Sequence, residues 1–262
     1  MAETTGEFVG TGLYKSYASG GAPSVPVLAD CSFRFEAGKL NVVMGTSGCG
    51  KSTLAYLLAG YQKPDQGTLL IDGKPVTGAG SDRLLVFQET ALWPWMTVEE
   101  NVLFGPVSRG QTRKSARPKA NELLDRFGLG EFKDKYPSQL SGGMMRRAEL
   151  AQALVNNPKV MILDEPFRGL DVMTRELMQE YYLKLFEDTR LSTVFITAEL
   201  EEALFLADRI YIMSDAPSRI VKIIDVDLPR PREIACTATR RYAELEQEAL
   251  AALYAGRELE TL

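Results

Sequence analysis

Hydrophobic and polar positions alternate over short distances in the first third of the chain. Apolar runs separated by turn residues occupy residues 6–17, 27–35 and 67–73, and this spacing is typical of short antiparallel strands. A different pattern lies between them: the apolar run Leu40–Met44 stops at a glycine, and helical spacing follows over residues 52–58. The sequence here predicts a strand, a loop and a helix in immediate succession.

Continuous apolar runs replace this alternation further along the chain. They have the length of strands and cover residues 84–87, 160–163, 193–196 and 210–213. Strands that are buried on both faces of a parallel sheet have this pattern. The chain is therefore predicted to have an α/β fold, in which a mostly parallel sheet is flanked by helices and preceded by an antiparallel β subdomain.

Helical spacing dominates two other regions. Between about residues 94 and 157 the apolar residues recur at the spacing of a helix, and no strand is predicted there. The same spacing returns at about residues 237–254, after the proline-containing run 228–232. The first region predicts a helical subdomain inserted into the core, and the second a C-terminal amphipathic helix. We expect all these parts to form one domain over residues 1–262.

The composition narrows the range of partners. Hydrophobic residues make up 45% of the chain and charged residues 25%, and the net charge of -5 is spread along the sequence, which is typical of a globular protein with no nucleic-acid partner. No apolar run approaches the ~20 residues that a membrane-spanning helix needs, so another chain would have to cross any membrane. Residues 1–7 lack the basic and apolar parts of a secretory signal, and we expect the chain in the cytosol.

Histidine is absent from the sequence, and the three cysteines, Cys31, Cys49 and Cys236, are widely spaced. The first fact excludes Ser-His and Cys-His catalytic pairs. The second fits neither a disulfide framework nor a zinc cluster. Catalysis therefore has to depend on carboxylates, lysine, hydroxyl groups and a metal ion.

The strongest chemical motif lies directly between the first predicted buried strand and its helix. It satisfies the pattern G-x-x-x-x-G-K-[ST] and consists of Gly45, Thr46, Ser47, Gly48, Cys49, Gly50, Lys51 and Ser52, with Thr53 next to it. Glycines there let backbone amides converge on a phosphate at a helix N-terminus, while Lys51 adds a positive charge and the Ser52 hydroxyl can bind magnesium. A chance glycine-rich turn is the alternative, but both flanking elements that the motif requires are predicted. The sequence therefore predicts a phosphate-binding loop.

A second motif places two adjacent carboxylates at the end of the predicted strand 160–163. They are Asp164 and Glu165, and ligands of open α/β sheets collect at this edge. Asp164 is predicted to hold a magnesium ion, and Glu165 to act as the general base for an attacking water. A solvated turn is an equally good interpretation of this pair alone, and the phosphate-binding loop upstream favours the functional one.

A third motif, Leu140 to Met144, opens the helix that runs to about residue 156. Ser141 is a suitable N-cap, and Gly142 and Gly143 follow it. Such a helix N-terminus can bind an anion, although Ser-Gly-Gly is also a common linker or cap. Its place just upstream of the Asp164 strand favours the anion site.

These three motifs in this order resemble the ATP-binding subunits of ABC transporters. Residues 86–89, which include Gln88, are similar to the glutamine loop of that family. Residues 168–171 are similar to the family's loop that ends in an aspartate, here Asp171. Tyr17 lies where the family stacks an aromatic ring on adenine. The segments 93–102 and 226–232 are similar to the importers of nitrate, taurine and aliphatic sulfonates. Met145, Glu149 and Gln152 differ from the residue types that the family tends to have.

The resemblance implies a P-loop NTPase core that binds ATP and Mg2+, with Ser52, Gln88 and Asp164 at the metal. It further implies a dimer in which ATP on Lys51 of one subunit is covered by Ser141, Gly142 and Gly143 of the other, with Asp171 nearby. The second subunit can be an identical copy or a related chain. The segment after Gln88 is expected to receive a helix of an integral membrane permease subunit. The complex then lies at the cytoplasmic face of the membrane and meets a solute-binding protein only indirectly.

The sequence departs from the family at one position of the site. Ala198 follows the predicted strand 193–196 where the family normally has a histidine that contacts the γ-phosphate. Losing one such donor costs about 10²- to 10³-fold in rate. The favoured hypothesis is an ATP-hydrolysing importer subunit. One alternative is a subunit that binds ATP but hydrolyses it poorly, and another is an ABC-type ATPase that works without a membrane partner.

Overall fold

A computed structural model describes residues 5–18 and 24–255. Both ends of the predicted domain, and the first four residues of the segment predicted to lack a secretory signal, lie outside these ranges. The described strands are β1 (Phe8–Tyr17), β2 (Val25–Phe35), β3 (Leu40–Met44), β4 (Gln66–Ile71), β5 (Lys74–Pro75), β6 (Arg83–Val86), β7 (Val160–Asp164), β8 (Ser192–Thr197), β9 (Arg209–Met213) and β10 (Ile220–Asp225). The described α-helices are α1 (Lys51–Ala59), α2 (Val98–Ser108), α3 (Arg113–Arg126), α4 (Gly142–Leu154), α5 (Val172–Thr189), α6 (Leu200–Leu206) and α7 (Arg240–Ala255).

The larger sheet has six strands in the order β10-β9-β3-β8-β7-β6. Five of these strands are parallel, and β10 pairs antiparallel with β9 at one edge. Every residue of β3, β7 and β8 is buried, which explains their continuous apolar sequences. The predicted α/β fold with a mostly parallel sheet is confirmed. The sequence did not indicate β10, because this edge strand buries only Ile224 and has no apolar periodicity.

The smaller sheet is antiparallel, with the order β2-β1-β4-β5, and it matches the predicted antiparallel part. Its buried residues, such as Phe8 and Phe35, share one apolar cluster with Leu54 and Leu57 of α1 and with Val160 of β7. Helix α1 therefore lies between the two sheets. This packing fixes the direction in which the N-terminus of α1 points.

Helices α2, α3 and α4 follow β6, and no strand interrupts them in residues 94–157. Helix α2 begins with a reciprocal pair of side-chain caps between Thr97 and Glu100. Its buried Asn101 donates to the carbonyl oxygens of Trp93, Met96 and Thr97. The chain before α2 is thus held against the helix. Across residues 5–18 and 24–255, no helix is both long and apolar enough to cross a bilayer.

Candidate nucleotide and metal site

The loop between β3 and α1 has the geometry of a phosphate cradle. Gly48 has φ 83° and Gly50 has φ 105°, a region that favours glycine over other residues. Gly50 caps α1 without a side-chain hydrogen bond, so no cap side chain occupies the first amides of the helix, which lack partners within the helix. The Lys51 side chain is only 4% exposed, and its Nζ donates to the carbonyl oxygens of Gly45 (3.0 Å) and Thr46 (2.9 Å).

Two side chains of this loop point away from the cradle. Cys49 is buried, and burial raises the pKa of its thiol. The Thr46 hydroxyl donates to Asp215 Oδ1 at 2.5 Å, which ties the loop to the turn after β9. Both side chains therefore leave the centre of the loop to backbone groups, and the Cys49 amide donates to the Thr46 carbonyl oxygen at 3.3 Å.

Asp164 ends β7 beside α1 and is 3% exposed. Burial raises the pKa of its carboxyl group and the neighbouring Glu165 adds to the rise, while a hydrogen bond from Ser52 and the charge of Lys51 oppose it. Among the described residues, none gives Asp164 Oδ1 a hydrogen bond. A buried carboxylate oxygen without a hydrogen bond is costly, and a cation would satisfy it.

Gln88 lies in the same cavity as Ser52 and Asp164. Ser52, Gln88 and Asp164 line one cavity of about 380 Å³, together with Tyr56 and Thr90. A hydroxyl, an amide oxygen and a carboxylate are the hard oxygen ligands that Mg2+ prefers. The residues present therefore fit the predicted magnesium ion. Sequence reasoning missed Tyr56 and Thr90, since neither belongs to a motif.

Glu165 lies between two cations. Its Oε1 is 3.4 Å from Lys51 Nζ, and its Oε2 is 2.9 Å from Arg168 Nη1. Its backbone has φ 44°, and its amide donates to the carbonyl oxygen of Ile196 at 2.9 Å. The side chain is 12% exposed. The predicted base is thus held at the phosphate loop, with both oxygens engaged.

Ala198 is exposed and borders two cavities. With Ser47 and Glu165 it lines a cavity of about 140 Å³. With the phosphate loop it lines another of about 270 Å³, whose opposite wall comes from Leu250 and Tyr254 of α7. No pattern in the sequence indicates that the C-terminal helix approaches this loop. Space for a larger side chain is therefore present on both sides of Ala198.

Tyr17 ends β1 next to the start of α1. Its hydroxyl donates to Gln62 Oε1 at 2.5 Å and lies 3.3 Å from Thr53 Oγ1. The side chain is 38% exposed, and Lys15 Nζ lies 5.8 Å from the ring centroid. The ring thus has an accessible surface beside the phosphate loop, where the resemblance expects adenine.

The signature residues lie apart from the phosphate loop of their own chain. Ser141 caps α4, with 3.3 Å between its Oγ and Met144 N, and Asp171 caps α5. A side chain at Gly143 would come within 2.8 Å of Thr174 Cγ2. Ser141, Gly142 and Asp171 are exposed, and none of them lines the three cavities described above. Their predicted contact with a second subunit's ATP remains a prediction.

A phosphate loop between a parallel strand and a helix, with acidic residues at the end of a neighbouring strand, defines a P-loop nucleotide-binding protein. A family model described as "ABC transporter" matches residues 28–168. The chain therefore belongs to the ABC transporter family, as one of its ATP-binding subunits, and the family resemblance is confirmed.

Named relatives are similar over most of the chain. It is 42% identical over 210 residues to a nitrate import ATP-binding protein of Synechocystis sp., which covers 80% of this chain and 79% of the relative. It is 44% identical over 198 residues to a taurine import ATP-binding protein of Roseobacter denitrificans, covering 76% and 74%. These names lend no support to the alternative of a subunit that hydrolyses ATP poorly.

Solved structures agree in fold. A dimeric ATP-binding cassette in a post-hydrolysis state, bound to ADP and phosphate, matches with a TM-score of 0.74 at 27% identity and covers 84% of this chain and 98% of that one. The cbiO1 subunit of Clostridium perfringens matches with a TM-score of 0.75 at 24% identity, covering 97% and 98%. The second likeness shows the fold alone.

Proposed function

We propose that this chain is the ATP-hydrolysing subunit of an importer and works at the cytoplasmic face of a membrane. One observation carries the proposal: the buried carboxylate of Asp164, with an unpartnered oxygen, lies beside Ser52 and Lys51 where a phosphate loop ends. The similarity to nitrate and taurine import subunits supports the direction of transport.

Each residue of the site has a distinct task in this proposal. Lys51 leaves its two loop carbonyls for the phosphates, and the loop amides bind the same group. Ser52, Asp164 and Gln88 hold Mg2+, which when bound neutralises phosphate charge. Glu165 takes the proton of the attacking water, and its two ion pairs orient the carboxylate.

A second ATP-binding subunit completes the site. Ser141 and Gly142 at the start of α4 are exposed, and neither lines the cavities at the phosphate loop of their own chain. Val172 and Met173, directly after Asp171, are 67% and 69% exposed. A partner subunit would cover this surface and receive the α4 N-terminus on its nucleotide. The similar cassette that forms a dimer with ADP and phosphate bound supports this arrangement.

An aromatic groove supports a membrane partner. Tyr61, Phe87, Trp93 and Phe104 line a cavity of about 300 Å³. The rings of Trp93 and Phe104 are 5.6 Å apart, and Trp95, which is 65% exposed, lies 5.2 Å from Trp93. Exposed aromatic clusters of this kind receive apolar side chains of a partner. We assign this groove to a helix of the permease subunit, through which the chain acts with a solute-binding protein indirectly.

Nucleotide binding by Lys51→Ala tests the proposal, with Lys63→Ala as the matched control because Lys63 is an exposed lysine outside the phosphate loop. Equilibrium binding of Mg2+-ATP is expected to be lost in the first variant and kept in the second. Trp95→Ala is expected to lower co-isolation with the permease, whereas Val25→Ala, at a residue 61% exposed on β2, is not. Equal ATP binding by both lysine variants would refute the proposal.

A further inference from the structure

The segment that carries Gln88 is fastened to the signature helix by a buried ion pair. Arg146 and Glu149 of α4 are 7% and 4% exposed, and 2.6 Å separates Arg146 Nη1 from Glu149 Oε2. Both residues lie within eight positions of Ser141, the N-cap of the helix. Glu149 is one of the residues that distinguish this chain from the family pattern.

The other hydrogen-bonding groups of Arg146 and Glu149 contact residues 87–91, which are called the Gln88 segment. Arg146 donates to the carbonyl oxygens of Phe87 (2.8 Å) and Gln88 (2.7 Å). Glu149 Oε1 accepts from the Ala91 amide at 2.5 Å, and the Thr90 side chain also hydrogen bonds to this carboxylate. Residues 87–91 are therefore held by one ion pair at three backbone positions.

Because the pair is buried, losing either partner is costly. Hydrogen bonds of ionised groups are about twice as strong as neutral ones, and removing one partner leaves the other as a buried unpaired charge. The N-terminus of α4 lies five residues before Arg146, a distance of about 7.5 Å along a helix. The backbone contact at Gln88 and the N-cap Ser141 are thus joined by about one and a half turns of one helix.

We propose that Arg146 and Glu149 are positioning residues that make the Gln88 segment and the signature helix move as one body when nucleotide binds. The inference rests on the proposed function, because it needs ATP and its metal at Gln88. In the proposed function Gln88 contacts the metal of the bound ATP, and α4 carries the surface that contacts the nucleotide on the second subunit. The same body includes Trp93, whose amide donates to Asn101 Oδ1 of α2 at 2.7 Å.

The two tryptophans of the chain supply a readout that is independent of turnover. Trp93 and Trp95 are the only tryptophans in the sequence, and they follow the anchored segment by two to four residues. Acrylamide quenching of their emission is expected to change when Mg2+-ATP binds to the unmodified chain. Lys51→Ala, which is expected not to bind ATP, serves as the optical control.

In Glu149→Gln the Ala91 contact keeps an acceptor but the ion pair is lost. This variant is expected to bind ATP within about twofold of the unmodified affinity, while the ATP-induced change in quenching falls at least about threefold. Arg117→Gln removes an exposed pair with Glu99 and is the matched control, with an unchanged response. If the single variant does not fold, the double variant R146Q/E149Q tests the same link between the Gln88 segment and α4, because it leaves neither buried charge unpaired.

The charge-reversed variant R146E/E149R separates positioning from simple stabilisation. It restores an ion pair but turns a carboxylate toward the carbonyl oxygens of Phe87 and Gln88, which it cannot bind. We expect the quenching response to stay lost even where thermal stability returns. A full response in the reversed variant or in R146Q/E149Q, or none in the unmodified chain, overturns the inference while ATP binding stands. Absence of Lys51-dependent ATP binding would overturn the proposed function as well.

Discussion

Replacing Asp164 with asparagine is expected to stabilise the nucleotide-free chain while weakening its response to Mg2+-ATP. Asp164 is 3% exposed and one of its oxygens has no hydrogen bond in the described residues. Leaving a buried polar group unsatisfied costs about 1–3 kcal/mol, and more for a charged one. The amide removes the charge but still leaves a polar atom unpaired, so we expect a net gain of about 1–2 kcal/mol. For a chain of this size that raises Tm by about 2–8 °C.

The pH dependence of this gain follows from the raised pKa of Asp164. Burial is the main cause of the rise above the ordinary value of 3.8, so the folded chain binds protons more tightly than the unfolded chain at this site. The carboxylate therefore destabilises the fold at neutral pH, and the cost fades as the pH falls through the folded-state pKa. The gain of Asp164→Asn is expected to be largest at neutral pH and to shrink on acidification.

Thermal unfolding of the full chain, with and without Mg2+-ATP, measures both effects. A ligand at 100 times its Kd stabilises the unmodified chain by about 2.7 kcal/mol, and we expect less than half of this shift in Asp164→Asn. The matched control is Asp208→Asn, because that carboxylate accepts from Leu40 N and Arg230 at 2.9 Å each. The same substitution there should lower Tm. Lower stability in both variants, or equal Mg2+-ATP shifts, would refute the reasoning.

Three further predictions concern turnover and affinity. Ala198→His adds a hydrogen-bond donor between two cavities. Since the proposed function is that of an active ATPase, the rate of this variant is expected to stay close to the rates of the unmodified chain and of Ala198→Leu, a control of similar bulk; a rise of about 10²- to 10³-fold in the histidine variant alone would contradict this. Tyr17→Ala is expected to weaken ATP binding about tenfold through lost stacking, and Tyr17→Phe to keep most of it, as titration would show. Arg168→Ala frees Glu165 Oε2 and should slow turnover about tenfold while changing the free energy of unfolding by less than ~1 kcal/mol; an unchanged rate would speak against orientation of the base.

The parts of the site that are local in sequence could be predicted, and those that join distant segments could not. The phosphate loop and Asp164 each depend on a strand and the few residues after it, so the apolar pattern located both. The buried pair Arg146–Glu149 holds a segment 58 residues away, and no periodicity encodes such a contact. The approach of α7 to Ala198 was missed for the same reason. Edge strand β10 was missed because most of its residues are exposed and form no apolar face.

Strand order explains why the residue after β8 lies at the centre of this site. Strand β8 lies between β3 and β7 in the sheet, and all three run parallel, so their carboxyl ends meet at one edge. The phosphate loop follows β3, and the carboxylates follow β7. Position 198, after the middle strand, must therefore lie between Ser47 and Glu165, which both line the cavity that Ala198 borders. The place of a side chain at position 198 is therefore set by the sheet, because it borders the cavity that Ser47 and Glu165 line, whereas a residue on a loop outside this sheet edge would have to be positioned separately.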